Sequence, residues 1–237
     1  MKNQYFGDEN DYKKYGLLRT LTGRGELPTA LCWMLTPDDR GPDGRFTTYL
    51  RQPETWRHYD PDLYDHLWQA VVAQERRDVR CAAQEDLLPG VRFYDRLLPD
   101  DAAGRADYWS DFWKVAQGCS LVFFDPDNGL EVKSKPYGRA GSSKYLYWQE
   151  LTRTTSRGYS ALVYQHFRRT ERDGFIAQMA QEMHERTKVK VVYSFRTNRV
   201  VFFLLPVAYH LPNFERHSAQ VAHTWPGQIE TKVHEYA

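Results

Sequence analysis

The run Leu121 to Phe124 contains four apolar residues with no polar position among them, and it ends abruptly in Asp125-Pro126-Asp127-Asn128-Gly129. A strand with one wet face alternates. A strand that does not alternate must be covered on both faces, as in the middle of a parallel sheet. Similar runs recur at residues 29–35 (TALCWML) and 159–167 (YSALVYQHF), and a weaker one at residues 90–98 (GVRFYDRLL). Helical patterns lie between them. Residues 8–22 repeat Tyr12, Tyr15, Leu18 and Leu21 behind a cap at Asp8 or Asn10. Asp60-Pro61 opens a helix expected over 61–78, and further helices are expected over 107–117, 142–155 and 172–187. Two last strands, 189–195 and 199–206, are separated by Arg196-Thr197-Asn198, a gap that suits an antiparallel hairpin.

Alternation of this kind predicts an α/β fold: a doubly wound, mostly parallel sheet flanked by helices, closed by a C-terminal antiparallel hairpin. The 237 residues suit a single domain over 1–237, with an insertion around 36–80 and a basic-aromatic loop around 131–147. A formal charge of +1, from 32 basic and 31 acidic residues, excludes a uniformly basic nucleic-acid coat but not a local basic face. Cys32, Cys81 and Cys119 have no metal-ligand spacing and read as small buried hydrophobes. His184, His210, His217, His223 and His234 show no ligand spacing and are expected at the surface. The first sixteen residues lack the apolar core of a secretion signal, and no apolar run approaches the roughly 20 residues that span a bilayer. A soluble cytoplasmic protein, with no membrane partner, is the expectation.

In doubly wound sheets ligands bind outside the carboxyl ends of the strands. Asp125, Asp127 and Asn128 stand at one such end, and Gln165 and His166 at the next. An acid leaving a core strand is costly unless it is used or paired, although Asp and Asn also build turns by bonding their own backbone. His166 titrates near neutrality and suits a general base; a hydrogen-bonded histidine at a strand end is the plainer reading. Lys133, Lys135, Arg139 and Lys144, interleaved with Tyr137, Tyr145 and Tyr147 and followed by a helix, suit phosphate and base contacts. An exposed loop solvated by its charges is the alternative. Tyr5 and Phe6 near the N-terminus offer further stacking rings.

The order of elements, an Asp-x-x-Lys element before the first strand (Asp11, Lys14, then Tyr15), and a strand ending in Asp-Pro-x-x resemble the Rossmann-like methyltransferases that use S-adenosylmethionine. The pattern is nearest to the bacterial ribosomal RNA adenine-N6 methyltransferases. The resemblance implies a Rossmann-like fold, S-adenosylmethionine as cofactor, and DNA or RNA as partner. It implies that Asp125 takes a hydrogen bond from the target amine, with Asn128 and His166 beside the substrate. Asp11, Lys14 and Tyr15, with Gly41 and Gly44 after the first strand, would hold the cofactor. Asp127-Asn128 stand where the family has Pro-Tyr, so the ring that stacks on the flipped base must come from elsewhere; Tyr137, Tyr145, Tyr147, Trp148 and Phe167 are candidates. Glu85 and Asp95 are the acids available for ribose hydroxyls.

Two other classes stay open. A nuclease or phosphoesterase would bind Mg²⁺ or Mn²⁺ through Asp125, Asp127 and Glu131. A catalytically silent module would bind nucleic acid through its aromatic and basic surface. The letters Glu131-Val132-Lys133 match a nuclease signature, but they lie too close to Asp127 for the two strands such a site needs.

Overall fold

The unbroken apolar runs all become strands of one sheet in the computed structural model, which describes residues 1–39, 41, 44–84 and 87–237. The main sheet contains β1 (Thr29–Cys32), β2 (Val91–Tyr94), β3 (Leu121–Phe124), β6 (Ser160–His166), β7 (Val191–Arg196), β8 (Val200–Leu205) and β9 (Glu230–Glu235). Its order is β2-β1-β3-β6-β8-β7-β9. The first four are parallel, and every pairing from β6 onward is antiparallel. The sheet is therefore mixed rather than mostly parallel. A second, two-stranded piece pairs β4 (Gly129–Leu130) with β5 (Tyr145–Leu146).

Side chains alternate along each strand, so a fully buried strand feeds two cores. Leu31, Leu121, Phe123, Leu162 and Phe202 face α1 (Glu9–Leu21), α3 (Pro61–Trp68) and α8 (Leu211–Thr224). Cys32, Val122, Phe124, Val163 and Phe203 face α5 (Ala102–Ala116), α6 (Trp148–Ser156) and α7 (Arg172–Thr187). The short helices α2 (Pro53–Trp56) and α4 (Cys81–Gln84) lie in the connection from β1 to β2. All three cysteines are buried, as expected.

Several elements depart from the sequence reading. The first strand stops at Cys32, because Met34 takes a left-handed conformation (φ 47°). The helix expected over 61–78 ends at Trp68, continues as a wider turn over Gln69–Ala73, and leaves helical geometry at Glu75 (φ 53°). The helix expected over 142–155 is interrupted: Tyr145 and Leu146 are drawn out to pair with Gly129 and Leu130, and α6 begins only at Trp148. The hairpin inserts its second strand, β8, against β6 and leaves β7 outside. Helix α8 and strand β9, absent from the sequence reading, finish the fold. His217 is not at the surface. It is buried, with Nδ1 2.9 Å from the carbonyl oxygen of Leu21.

The carboxyl ends of β1 and β3 adjoin, and the chain leaves this pair in opposite directions, to β2 on one side and β6 on the other. The order reverses there, which opens a crevice at that end of the sheet. Helix α1 reaches the same end because Gly16, in its middle, lets the Trp225 indole press on its backbone. A Cβ at position 16 would stand 1.9 Å from Trp225 Cζ2. In an open helix Gly→Ala gains about 1 kcal/mol, whereas overpacking costs about 1–3 kcal/mol. Gly16→Ala is therefore expected to lower the melting temperature, and a rise on thermal denaturation would refute this packing account.

Candidate functional site

Three charged side chains form the floor of the crevice. The Lys14 ammonium lies 2.6 Å from Asp11 Oδ1 and 2.6 Å from Asp125 Oδ2. None of the three residues is more than 4% exposed. The spacing of Asp11 and Lys14 puts both on one face of α1, and the Gly7 amide donates to the second Asp11 oxygen at 3.1 Å. Burial raises the Asp11 pKa to about 6; Lys14 opposes the rise and the negative charge of Asp125 adds to it. Burial also works to lower the Lys14 pKa, but Asp11 and Asp125 outweigh it and the ammonium is held well above its ordinary value. Two carboxylates around one buried cation make the group stable only as a unit. Tyr15, one residue on, turns into the core, where its hydroxyl accepts from Trp33 Nε1 at 3.2 Å.

Asp127 builds a second pocket beside the first. Its Oδ2 accepts from Thr36 Oγ1 at 2.7 Å. Its Oδ1 is buried with no aligned hydrogen bond, and the amino nitrogen of Met1 stands 2.6 Å away as an ion-pair contact. That nitrogen also donates to the Met34 carbonyl at 3.3 Å and the Asp125 carbonyl at 3.1 Å. Burial tends to raise the Asp127 pKa, but Met1, Thr36 and Lys2 bring it below the usual carboxylate range. Three oxygens thus converge on one cationic nitrogen at the carboxyl ends of β1 and β3.

Above this floor is an open cleft of about 840 Å³. One wall is braced by Gln165, whose Oε1 accepts from the Leu130 amide at 2.8 Å and whose Nε2 reaches the Asn128 carbonyl at 3.4 Å. Gly129 makes this possible: at φ 103° its Cα sits so close that a Cβ would be 2.4 Å from Gln165 Oε1. His166 is exposed to the cleft and lies 3.1 Å from the Tyr164 hydroxyl. Although its ring keeps solvent access, desolvation at the crowded wall lowers its pKa, against the raising influence of Asp127 and Asp125. Lys144, Arg172 and Arg199 stand exposed around the mouth, and Phe46, Tyr5, Tyr164 and Asn198 are also part of the lining.

The cleft thus gathers Asp125, Asp127, Asn128, His166, Asp11, Lys14, Gly44, Tyr5 and Lys144. Other expected site residues lie elsewhere. Phe6 and Tyr15 are fully buried in the core, so neither reaches a ligand. Gly41 donates its amide to Asp39, whereas Gly44 (φ 76°), although part of the cleft lining, is packed on Tyr5, where a Cβ would be 2.2 Å from the ring. The expected anion cradle is already filled: Asp100 accepts from the amides of Gly141 and Ser143 at 2.8 and 2.7 Å. Lys133, Lys135 and Arg139 are exposed but outside the cleft, and Tyr145 is held in β5. Glu131 accepts from the Trp148 amide at the start of α6 rather than joining Asp125 and Asp127. Among the described residues no group of three or more His, Cys, Asp or Glu could hold a metal ion, so the metal reading lacks an assembled ligand set. Asp95 is tied to Arg80 at 2.5 Å, and Glu85 lies outside the described residues.

Of the aromatic candidates, Tyr137 and Tyr147 pack under the Arg105 guanidinium, Trp148 lies beneath Arg186, and Phe167 is covered by Arg172. The rings that do line the cleft are Tyr5, Phe46 and Tyr164. Phe46 and Arg199 had no sequence signal beyond position: one is a lone aromatic in a polar loop, the other the tip of a hairpin.

No family model matches the chain, and no curated protein matches it. Among solved structures, the crystal structure of a Legionella pneumophila protein described under the family model DUF519 superposes with a TM-score of 0.46, at 13% identity, over 98% of each chain. No helix among the described residues is long and apolar enough to cross a membrane.

Removing the cation from the floor leaves two buried carboxylates unpaired. Lys14→Met is expected to cost about 3–5 kcal/mol, read as a shift in the urea midpoint; a change near zero would show the charges are not coupled. Asp11 sets a pH dependence of known sign. Between its unfolded pKa of 3.8 and its folded value of about 6, the folded chain binds a proton that the unfolded chain has lost. Its contribution to stability therefore falls as pH rises through that window. Relative to Asp11→Asn, the wild-type protein should lose stability from pH 4 to pH 7 (roughly, the span of the window), and melting curves showing parallel pH slopes would contradict this.

Proposed function

We propose that the protein is an S-adenosylmethionine-dependent methyltransferase acting on an exocyclic amine of an adenine or related base in nucleic acid. The observation that carries this reading is the contact between Lys14 and Asp125. The two sequence elements behind the resemblance, 111 residues apart, meet at 2.6 Å on the floor of one cleft. The parallel order β2-β1-β3-β6, with its reversal at that point, supports a Rossmann-like assignment.

The oxygens around the Met1 nitrogen test whether the cofactor fits. A buried carboxylate oxygen without an aligned partner, with two carbonyls beside it, is an acceptor set for an ammonium group, and the methionyl half of S-adenosylmethionine carries one. Asp127 and the Met34 and Asp125 carbonyls would hold that group once Met1 vacates the seat. The cofactor, when bound, supplies an activated methyl group. Asp125 would accept a hydrogen bond from the target amine and orient its lone pair, while Lys14 fixes the carboxylate in place. Asn128 and His166 would border the base; desolvation lowers the His166 pKa and so favours the neutral imidazole, which offers one donor and one acceptor nitrogen.

A second reading is favoured by one observation: Met1 already fills the ammonium seat. A chain in which it never leaves would bind nucleic acid without transferring a methyl group. Calorimetric titration with S-adenosylmethionine and transfer of a labelled methyl group to RNA and DNA separate the two. Binding heat and labelled product are expected, with Asp125→Asn reducing transfer by roughly 10²-fold or more. Absence of both heat and label would sink the methyltransferase reading and leave the silent module.

A further inference from the structure

One aromatic ring in the cleft lining is both exposed and pinned in place. Phe46 belongs to the β1–β2 connection and is 46% exposed, yet it is not loose. Its amide donates to Asp8 Oδ2 at 3.0 Å, and its carbonyl accepts from the Glu9 amide at 3.0 Å. The loop is thereby fastened to the first turn of α1, one turn before the Lys14 floor. The Arg199 guanidinium, from the tip of the β7–β8 hairpin, lies 3.7 Å from the centre of the ring. A pinned aromatic ring and a planar cation at one cleft mouth, with Lys144 and Arg172 nearby, have the chemistry that holds an unpaired base and its phosphates.

We infer that Phe46 and Arg199 form the platform on which an unpaired base of a single-stranded nucleic acid stacks as it enters the cleft, with Lys144 and Arg172 meeting the backbone phosphates. The inference rests on the nucleic-acid class proposed above but not on methyl transfer. Either can fail alone, because strand binding and label transfer are measured separately.

The test is fluorescence anisotropy with the full chain and three short labelled strands: oligoadenylate in ribose form, the same in deoxyribose form, and an abasic strand of equal length. The wild-type protein is expected to bind the preferred base-bearing strand more tightly than the abasic one, the tighter sugar form identifying the substrate. Phe46→Ala should weaken that binding about tenfold and leave the abasic strand unaffected; Phe46→Tyr should restore it. Phe46→Leu, which keeps apolar bulk without a flat face, should behave as Phe46→Ala, and circular dichroism melting should match the wild type for all three. Arg199→Ala should weaken both kinds of strand, the base-bearing one more. Equal affinity for base-bearing and abasic strands, unchanged binding in Phe46→Ala, or no binding of any strand would overturn the proposal.

Discussion

The buried ammonium of Lys14 is the contact on which the cleft depends. It joins α1 to the end of β3, and it does so between two carboxylates with almost no access to water. Without it, Asp11 and Asp125 would face each other as like charges in a low dielectric, an arrangement that proteins avoid by protonation or by moving apart. With it, the helix is held against the mouth of the sheet and the Asp125 backbone is held where its carbonyl meets Met1. One ion pair therefore positions both the helix and the central acid.

The outer wall is organised differently. Arg105 and Glu150, both buried, pair through two hydrogen bonds at 2.6 and 2.9 Å, and Arg105 also donates to the carbonyls of Ser142 and Tyr145. This ties α5 and α6 to the basic-aromatic loop. Together with Asp100 it converts a stretch rich in Gly, Ser and Lys into a rigid support. The Gly141 and Ser143 amides are spent on Asp100, and of the loop's basic residues only Lys144 is presented to the cleft.

Much of this was legible in the sequence because hydrophobic runs report burial directly. Pattern narrows the cap of α1 to Asp8 or Asn10, of which the structure has Asp8; the run Leu121–Phe124, the exit at Asp125 and the span of α7 follow from pattern alone. So does the sharing of a helix face by Asp11 and Lys14. What pattern does not carry is pairing at a distance. Nothing local says that Tyr145 and Leu146 leave a helical stretch to join Gly129 and Leu130, that Glu131 turns to the start of α6, or that Phe6 is swallowed by the core while Phe46 is not. Strand insertion is equally silent: β7 and β8 read as a hairpin either way, and only the sheet decides that β8 lies inside. A seat made of backbone carbonyls, like the one around the Met1 nitrogen, has no side-chain signature to find.

The pressing of Trp225 against Gly16 has a consequence for the order in which the protein is made. Helix α1 leaves the ribosome well before the indole that fixes it, which comes more than two hundred residues later. Contacts of such long separation form late, since the loop they close must be paid for first. A nascent chain can thus build its parallel strands and their helices while α1 is still undocked. Asp11 and Lys14 stay together on α1 until α8 arrives, so a partly synthesised chain can present Asp125 without the cation that pairs it.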